Sequence, residues 1–202
     1  MSSDSNFIDE AGARKRLSWD ERHRQLLDVA WRLIRQQGTE ALSLAQVAAE
    51  AGVTKPLAYN HFESRTGLLI ELYREFDVRQ TRLIETALEQ GAPTPKGVAK
   101  VIAVGYVDCV MAQAQEIPGL VAALGTSPEL EAVKRQSDHD FLHLCKRALD
   151  AVAKAGAVGM AGMYAMLGAA EGLSHAAANK ELSPEEAKAE LQQVIEDLLA
   201  RD

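Results

Sequence analysis

The stretch from Ser43 to Phe62, SLAQVAAEAGVTKPLAYNHF, constrains the fold more than any other part of the chain. Ser43, with Gln46 three residues on, is a capping-box helix start, and Val47, Ala48 and Ala51 form a short apolar face that Gly52 ends. A second start follows at once, with Thr54 in the cap position and Pro56 in the first turn, where its missing N–H costs nothing. Neither helix can stand alone, because isolated helices shorter than about 12–15 residues are marginal in water. The pair must therefore pack on longer helices. Gly52 supplies the positive φ that the turn between them needs, and Val53 plugs the angle.

Longer helices are at hand on both sides. Ser18-Trp19-Asp20-Glu21 is a capping box followed by Leu26, Leu27, Ala30, Leu33 and Ile34 at helical spacing, with Gly38 at the end. Ser64 caps a long helix carrying Leu68, Leu69, Leu72, Tyr73, Phe76, Leu83, Ile84 and Leu88. It ends near Gly91, and Ala92-Pro93-Thr94-Pro95 is clear punctuation, though too short for a flexible linker. Beyond it the pattern predicts helices over residues 97–115, from Ser127-Pro128-Glu129 to about Lys154, and over 158–179, with a short piece from Pro118. Ser183-Pro184-Glu185-Glu186 starts the last, whose stripe is Leu191, Val194, Ile195, Leu198 and Leu199. No strand pattern or internal repeat appears, so the expected fold class is all-α. Three segments are expected: a disordered polar arm over 1–17 ending in Arg14-Lys15-Arg16, a three-helix domain over 18–65, and a larger helical domain over 66–202.

Composition narrows the possibilities. Of 202 residues, 47% are hydrophobic and 25% charged, near the globular average, which argues against wholesale disorder. No run reaches the ~18 apolar residues of a membrane helix, and the start MSSDSNFIDE lacks the apolar core of a secretory signal. Cys109 and Cys145 give no disulfide framework and no zinc spacing. These features predict a soluble cytoplasmic protein with no membrane partner. The net charge of −7 hides an asymmetry: residues 12–65 carry nine basic and six acidic side chains, residues 66–202 thirteen and twenty. A basic head on an acidic body suits binding a polyanion with one end.

Residues 43–62 form a helix-turn-helix, in which the second helix enters the DNA major groove and the first braces it. Thr54 and Lys55 open that second helix, Leu57 and Ala58 offer apolar contact to thymine methyls, and Tyr59, Asn60 and His61 end it with three hydrogen-bonding side chains. The stretch resembles the DNA-binding domain of TetR-family transcriptional regulators. Ser43, Val47-Ala48, Ala51-Gly52-Val53-Thr54, Tyr59-Asn60-His61-Phe62, Ser64-Arg65 and Leu68-Leu69 carry the resemblance, over residues 17 to 69. It implies phosphate contacts from Ser43, Thr54, Tyr59 and His61, a phosphate or base contact from Lys55, Arg65 near phosphate, and Phe62 in the core. Pro56-Leu57-Ala58 and Gly67 depart from the family pattern, and Gly67 is expected to soften the start of its helix.

The resemblance further implies a homodimer on a palindromic operator and an interior ligand pocket. The residues agree in part: Gly156, Gly159, Gly162, Gly168, Ala169, Ala170 and Gly172 allow close helix approach, with Met160, Met163, Met166, Leu167 and Leu173 as apolar filling. In the helix 97–115 Asp108 is expected to be a lone buried carboxylate, paired, protonated or in contact with ligand, with Tyr106 and Met111 beside it. Tyr106, Asp108, Met111, His139, His143 and Met163 are the candidate ligand residues. His139 and His143 lie four apart, as do Glu171 and His175, but no cysteine motif supports metal there. No nucleophile motif, phosphate loop or dinucleotide fingerprint appears, and the Glu-x-x-His pairs of carboxylate-bridged bundles are missing. The expectation is a repressor, not an enzyme, that needs no cofactor or metal and is released from DNA by a small, hydrophobic effector. An activator, a co-repressor-dependent regulator, and a DNA-tethered protein-interaction module fit the same signature.

Overall fold

A computed structural model describes residues 17–117, 119–125, 127–153 and 156–200. The expected arm over 1–17 lies, but for Leu17, outside the described residues. Among these, the chain forms α1 (Trp19–Gln37), α2 (Leu44–Ala51), α3 (Lys55–Phe62), α4 (Arg65–Gln90), α5 (Pro95–Glu116), α6 (Leu120–Leu124), α7 (Pro128–Asp150), α8 (Met160–Ala178) and α9 (Pro184–Leu199), with no strand. The all-α class holds. Hydroxyl caps set most starts: Ser18, Ser43, Ser64, Thr94, Ser127 and Ser183 each accept from a backbone N–H of the first turn. Reciprocal capping boxes form at Ser18–Glu21 and Ser183–Glu186. At Ser43 only half of the expected box forms. Ser43 Oγ accepts from Gln46 N at 3.2 Å, while Gln46 Nε2 donates to Gln37 Oε1 at 2.7 Å, drawn off by the end of α1.

Two cores divide the chain. The first joins α1, α2 and α3 to the first third of α4 through Leu26, Ile34, Val47, Ala48, Ala58, Phe62, Leu68 and Leu72. It continues along α4 to Phe76 and also takes in Ile117, Leu120, Leu124, Leu130 and Val133 around α6 and the start of α7. The second core is built on α5, with Ile102, Ala103 and Val107 against Leu142, Cys145, Met163, Leu191 and Ile195 of α7, α8 and α9. By length and composition α5 is apolar enough to cross a membrane, contrary to the reading of the sequence. It is the central helix of the second core, packed by α4, α7, α8 and α9. The helix predicted to run to about Lys154 ends at Asp150, whose Oδ1 accepts from Val158 N at 2.8 Å as the chain turns back.

Gly67 has a steric reason to be glycine. A Cβ there would stand 2.2 Å from the carbonyl oxygen of Phe62, because α3 and α4 meet through only Glu63 (φ 59°) and Ser64. The first turn of α4 is capped rather than soft, with Gly67 N donating to Ser64 Oγ at 3.0 Å. Gly67→Ala is expected to destabilise the protein by about 1–3 kcal/mol, read as a lower urea midpoint, because the clash is with backbone that cannot swing aside.

Candidate nucleic-acid interface and body cavity

Helix α3 has two distinct faces, and the 100° step per residue decides which side chains each one holds. Ala58 and Phe62 pack inward at 0% and 2% exposure, with His61 at 8%. Thr54, Lys55, Pro56, Tyr59 and Asn60 are exposed, and Leu57 is half-buried. Thr54 makes no side-chain cap bond, which leaves its hydroxyl uncommitted to the helix start. Ser43, half-buried at the start of α2, spends its acceptor on Gln46 N and keeps its O–H to donate.

Three sequence expectations are corrected by these faces. Ala58 is sealed in the core and presents no methyl to a groove. His61 cannot share a surface with Tyr59 and Asn60, since successive residues on a helix point in different directions. Its ring stacks on Trp19 at 3.7 Å between centroids. Arg65 turns inward: Nε donates to the Leu42 carbonyl and Nη2 to that of Thr39, each at 2.8 Å, tying the α1–α2 connection to the base of α4.

His61 belongs to a chain of polar groups that docks α3 on α1 and α4. His23 Nε2 lies 2.7 Å from Glu71 Oε2, and His23 Nδ1 lies 3.2 Å from His61 Nδ1. If His23 donates from Nε2 to the carboxylate, its Nδ1 is an acceptor and His61 must donate from Nδ1; this tautomer assignment follows from the network. His61 Nε2 is then a buried lone pair, and it has no hydrogen-bond partner. Burial, then the neighbouring His23 and Arg22, lower the His61 pKa below its usual 6.5. The unfolded chain therefore binds this proton more readily than the folded one. Stability from a neutral His61 is complete above pH 6.5 and is lost as pH falls from there toward the folded value. Urea titrations of wild type and His61→Phe between pH 5 and 7.5 should show a shallower acid slope in the variant, by at most about 1.4 kcal/mol per pH unit.

In the body, α4, α5, α6, α7 and α8 line a cavity of about 460 Å³. Tyr73, Phe76, Tyr106 and Phe141 supply aromatic wall, and Asp77, Asp138 and Glu171 supply carboxylates. Tyr106 and Phe141 meet with ring centroids 5.1 Å apart. Asp77 Oδ2 accepts from Ser137 Oγ at 2.9 Å. Burial raises the pKa of both Asp77 and Asp138, and it pushes the Cys109 thiol up to about 12.

Of the candidate ligand residues, only Tyr106 lines this cavity. Asp108 is not buried; it reaches the rim of α5 and pairs with Lys188 Nζ of α9 at 2.8 Å. Met163 is fully buried in the second core, and Met111 packs against that core. His139 and His143 are exposed on α7, Nε2 to Nε2 at 3.1 Å, while Glu171 and His175 face the cavity instead. No group of three side chains that could hold a metal ion occurs among the described residues. Asp77, Gln80 and Asp138 were missed in the sequence. The available signal was the pair of polar residues Asp77 and Gln80 on the stripe that Tyr73, Phe76 and Ile84 make apolar.

Residues 26–72 match the sequence profile described as bacterial regulatory proteins, tetR family. The chain is 33% identical over 92 residues to the HTH-type transcriptional regulator BetI of Brucella canis, covering 46% of each chain. It is 36% identical over 75 residues to the HTH-type transcriptional regulator AcrR of Shigella flexneri, covering 37% of this chain and 34% of that one. These matches thus span less than half the length of the curated relatives. A putative transcriptional regulator from Pseudomonas aeruginosa PAO1 superposes with a TM-score of 0.68 at 17% identity, over 92% of this chain and 93% of its own. The multidrug binding protein EbrR complexed with ethidium superposes with a TM-score of 0.64 at 19% identity, over 88% and 99%. The fold is thus shared with such regulators over nearly the whole chain. Residues 26–72 are thus similar to the tetR family of bacterial regulatory proteins.

Proposed function

We propose that this chain is a homodimeric transcriptional repressor that leaves a palindromic operator when a small molecule enters the body cavity. The observation that carries the reading is the division of α3, with Ala58, His61 and Phe62 sealed inward and Thr54, Lys55, Tyr59 and Asn60 open to solvent. Such a face suits a helix laid in the major groove, where Lys55, Thr54 and Ser43 meet phosphates and Tyr59 and Asn60 reach phosphates or base edges. The outer side of α8 supports dimerisation: Met160 and Tyr164 are 40% and 60% exposed, and Gly168 and Gly172 have nothing within 4 Å of a built Cβ. A second copy covering this face places two α3 helices about one turn of DNA apart.

Coupling between cavity and head has a material route. Val121 of α6 lines the cavity and also packs on the first core, while α4 contributes Tyr73 and Phe76 to both. A ligand that fits one arrangement of α4 and α6 better than another shifts the spacing of the heads. Footprinting on the upstream intergenic DNA of its own gene, at two salt concentrations, tests the reading. A protected palindrome with steep salt dependence is expected. Tyr59→Ala should weaken operator binding about tenfold or more with an unchanged urea midpoint. Unchanged affinity in that variant would remove α3 from the interface.

A further inference from the structure

We infer that His139 and His143, on the outer face of α7, chelate a divalent transition-metal ion of the copper, nickel and zinc group. The run His139-Asp140-Phe141-Leu142-His143 sets two imidazoles four residues apart, which brings both to one side of the helix. Zinc-binding helices use the same spacing for two of their ligands. Spacing alone is common, and the structure adds the geometry. Nε2 of His143 lies 3.1 Å from Nε2 of His139, with the ring centroids 4.3 Å apart. Two imidazole nitrogens bound to one ion at its ordinary bond length, at right or tetrahedral angles, stand about 2.9–3.4 Å apart. The two rings thus already hold the separation that a shared ion requires.

The protons favour the exchange. A hydrogen bond between the two Nε2 atoms needs a proton on one of them, and an ion replaces that proton and uses both lone pairs. Asp140 Oδ1 lies 3.6 Å from His139 Nδ1, the ring nitrogen that faces away from His143. Its negative charge favours the proton on Nδ1 and leaves Nε2 bare. Gln136 Nε2 donates to the same Oδ1 at 2.9 Å and steadies it. Access is open, since both histidines are exposed. The other close pair, His23 and His61, meets at Nδ1, but His61 is 8% exposed and stacked on Trp19, which leaves no room for an ion and its waters. No third side chain joins His139 and His143 among the described residues, so water completes the coordination shell. Two imidazoles select ions that take nitrogen; magnesium and calcium prefer oxygen. The inner side of the same turn carries Phe141, a wall of the body cavity, so a bound ion pins that part of α7.

The full chain, without DNA, is dialysed against copper(II), nickel(II) or zinc(II) chloride, with magnesium chloride as the hard-ion control. Copper(II) is expected to bind tightest, at about one ion per chain, and magnesium not at all. The paramagnetic resonance spectrum of the copper form should show coupling to two imidazole nitrogens. His139→Ala and His143→Ala should each raise the copper Kd at least about tenfold, and Asp140→Asn should raise it by a smaller factor. Adding Arg135→His to the His143→Ala variant sets a new pair four residues apart, 135 and 139, and should recover much of the lost affinity. Because the chelate exists only on the folded helix, zinc(II) should raise the urea midpoint of the wild type and leave that of His143→Ala unchanged. Copper binding indifferent to both alanine substitutions means an adventitious ion only and overturns the inference. A zinc response equal in wild type and variant, or no recovery with the relocated pair, overturns it as well.

Discussion

Phe62→Ala should cost about 3–5 kcal/mol and abolish DNA binding by unfolding the head rather than by removing a contact. Phe62 closes α3, is 2% exposed, and packs among Leu26, Ala58 and Leu68, with its ring 4.8 Å from that of His23. Truncation opens a cavity where α1, α3 and α4 meet, and the short α3 buries little else besides Ala58 and His61. The two members of a contiguous pair of experiments then separate structure from recognition. Phe62→Ala lowers the urea midpoint and loses the operator, while Tyr59→Ala, 48% exposed, keeps the midpoint and loses only the operator. A loss below about 1 kcal/mol for Phe62→Ala would mean that the first core rests elsewhere.

Arg65→Ala should destabilise the protein by about 2–4 kcal/mol, because two charge-assisted hydrogen bonds, the strong kind, are lost and the Thr39 carbonyl keeps only its bond from Leu42 N. The guanidinium bridges Leu42 O and Thr39 O at 2.8 Å each, holding the entry to α2 against the start of α4. Thr39 and Leu42 are 1% and 2% exposed, so water cannot easily take the place of the arginine. Arg65→Lys should recover only part of the loss, since an ammonium lacks the planar fork that spans both carbonyls. Urea denaturation checks both variants. If Arg65 served phosphate alone, stability would stay unchanged and the salt dependence of operator binding would fall by about one unit of slope.

The helices were legible because their determinants are local. Ser18, Ser64, Ser127 and Ser183 cap helices in the structure as the sequence predicts, and Gly52 adopts φ 66° at the end of α2. The helix-turn-helix was legible for the same reason: two short helices, a left-handed glycine and a valine plug lie within twenty residues. The faces of α3 were less so. Tyr59, Asn60 and His61 read as one polar run, yet the inward turn of His61 depends on Trp19 and His23, which sit some forty residues earlier.

In the body, local pattern misled. An apolar helix with one carboxylate suggests a buried Asp108, but the run of the chain brings Lys188 of α9 to its rim. The cavity draws its wall from α4, α5, α6, α7 and α8, and no spacing along one helix announces such a meeting. Sequence alone determined the all-α class, the places where most helices begin, and the helix-turn-helix, because each rests on hydrogen bonds and periodicities a few residues long. Only the tertiary structure decided that Arg65 braces the head, that Gly67 yields to the Phe62 carbonyl, and that Asp77, Tyr106 and Asp138 line one cavity. Those outcomes depend on which helix packs against which, and packing is settled by the whole set of apolar faces together.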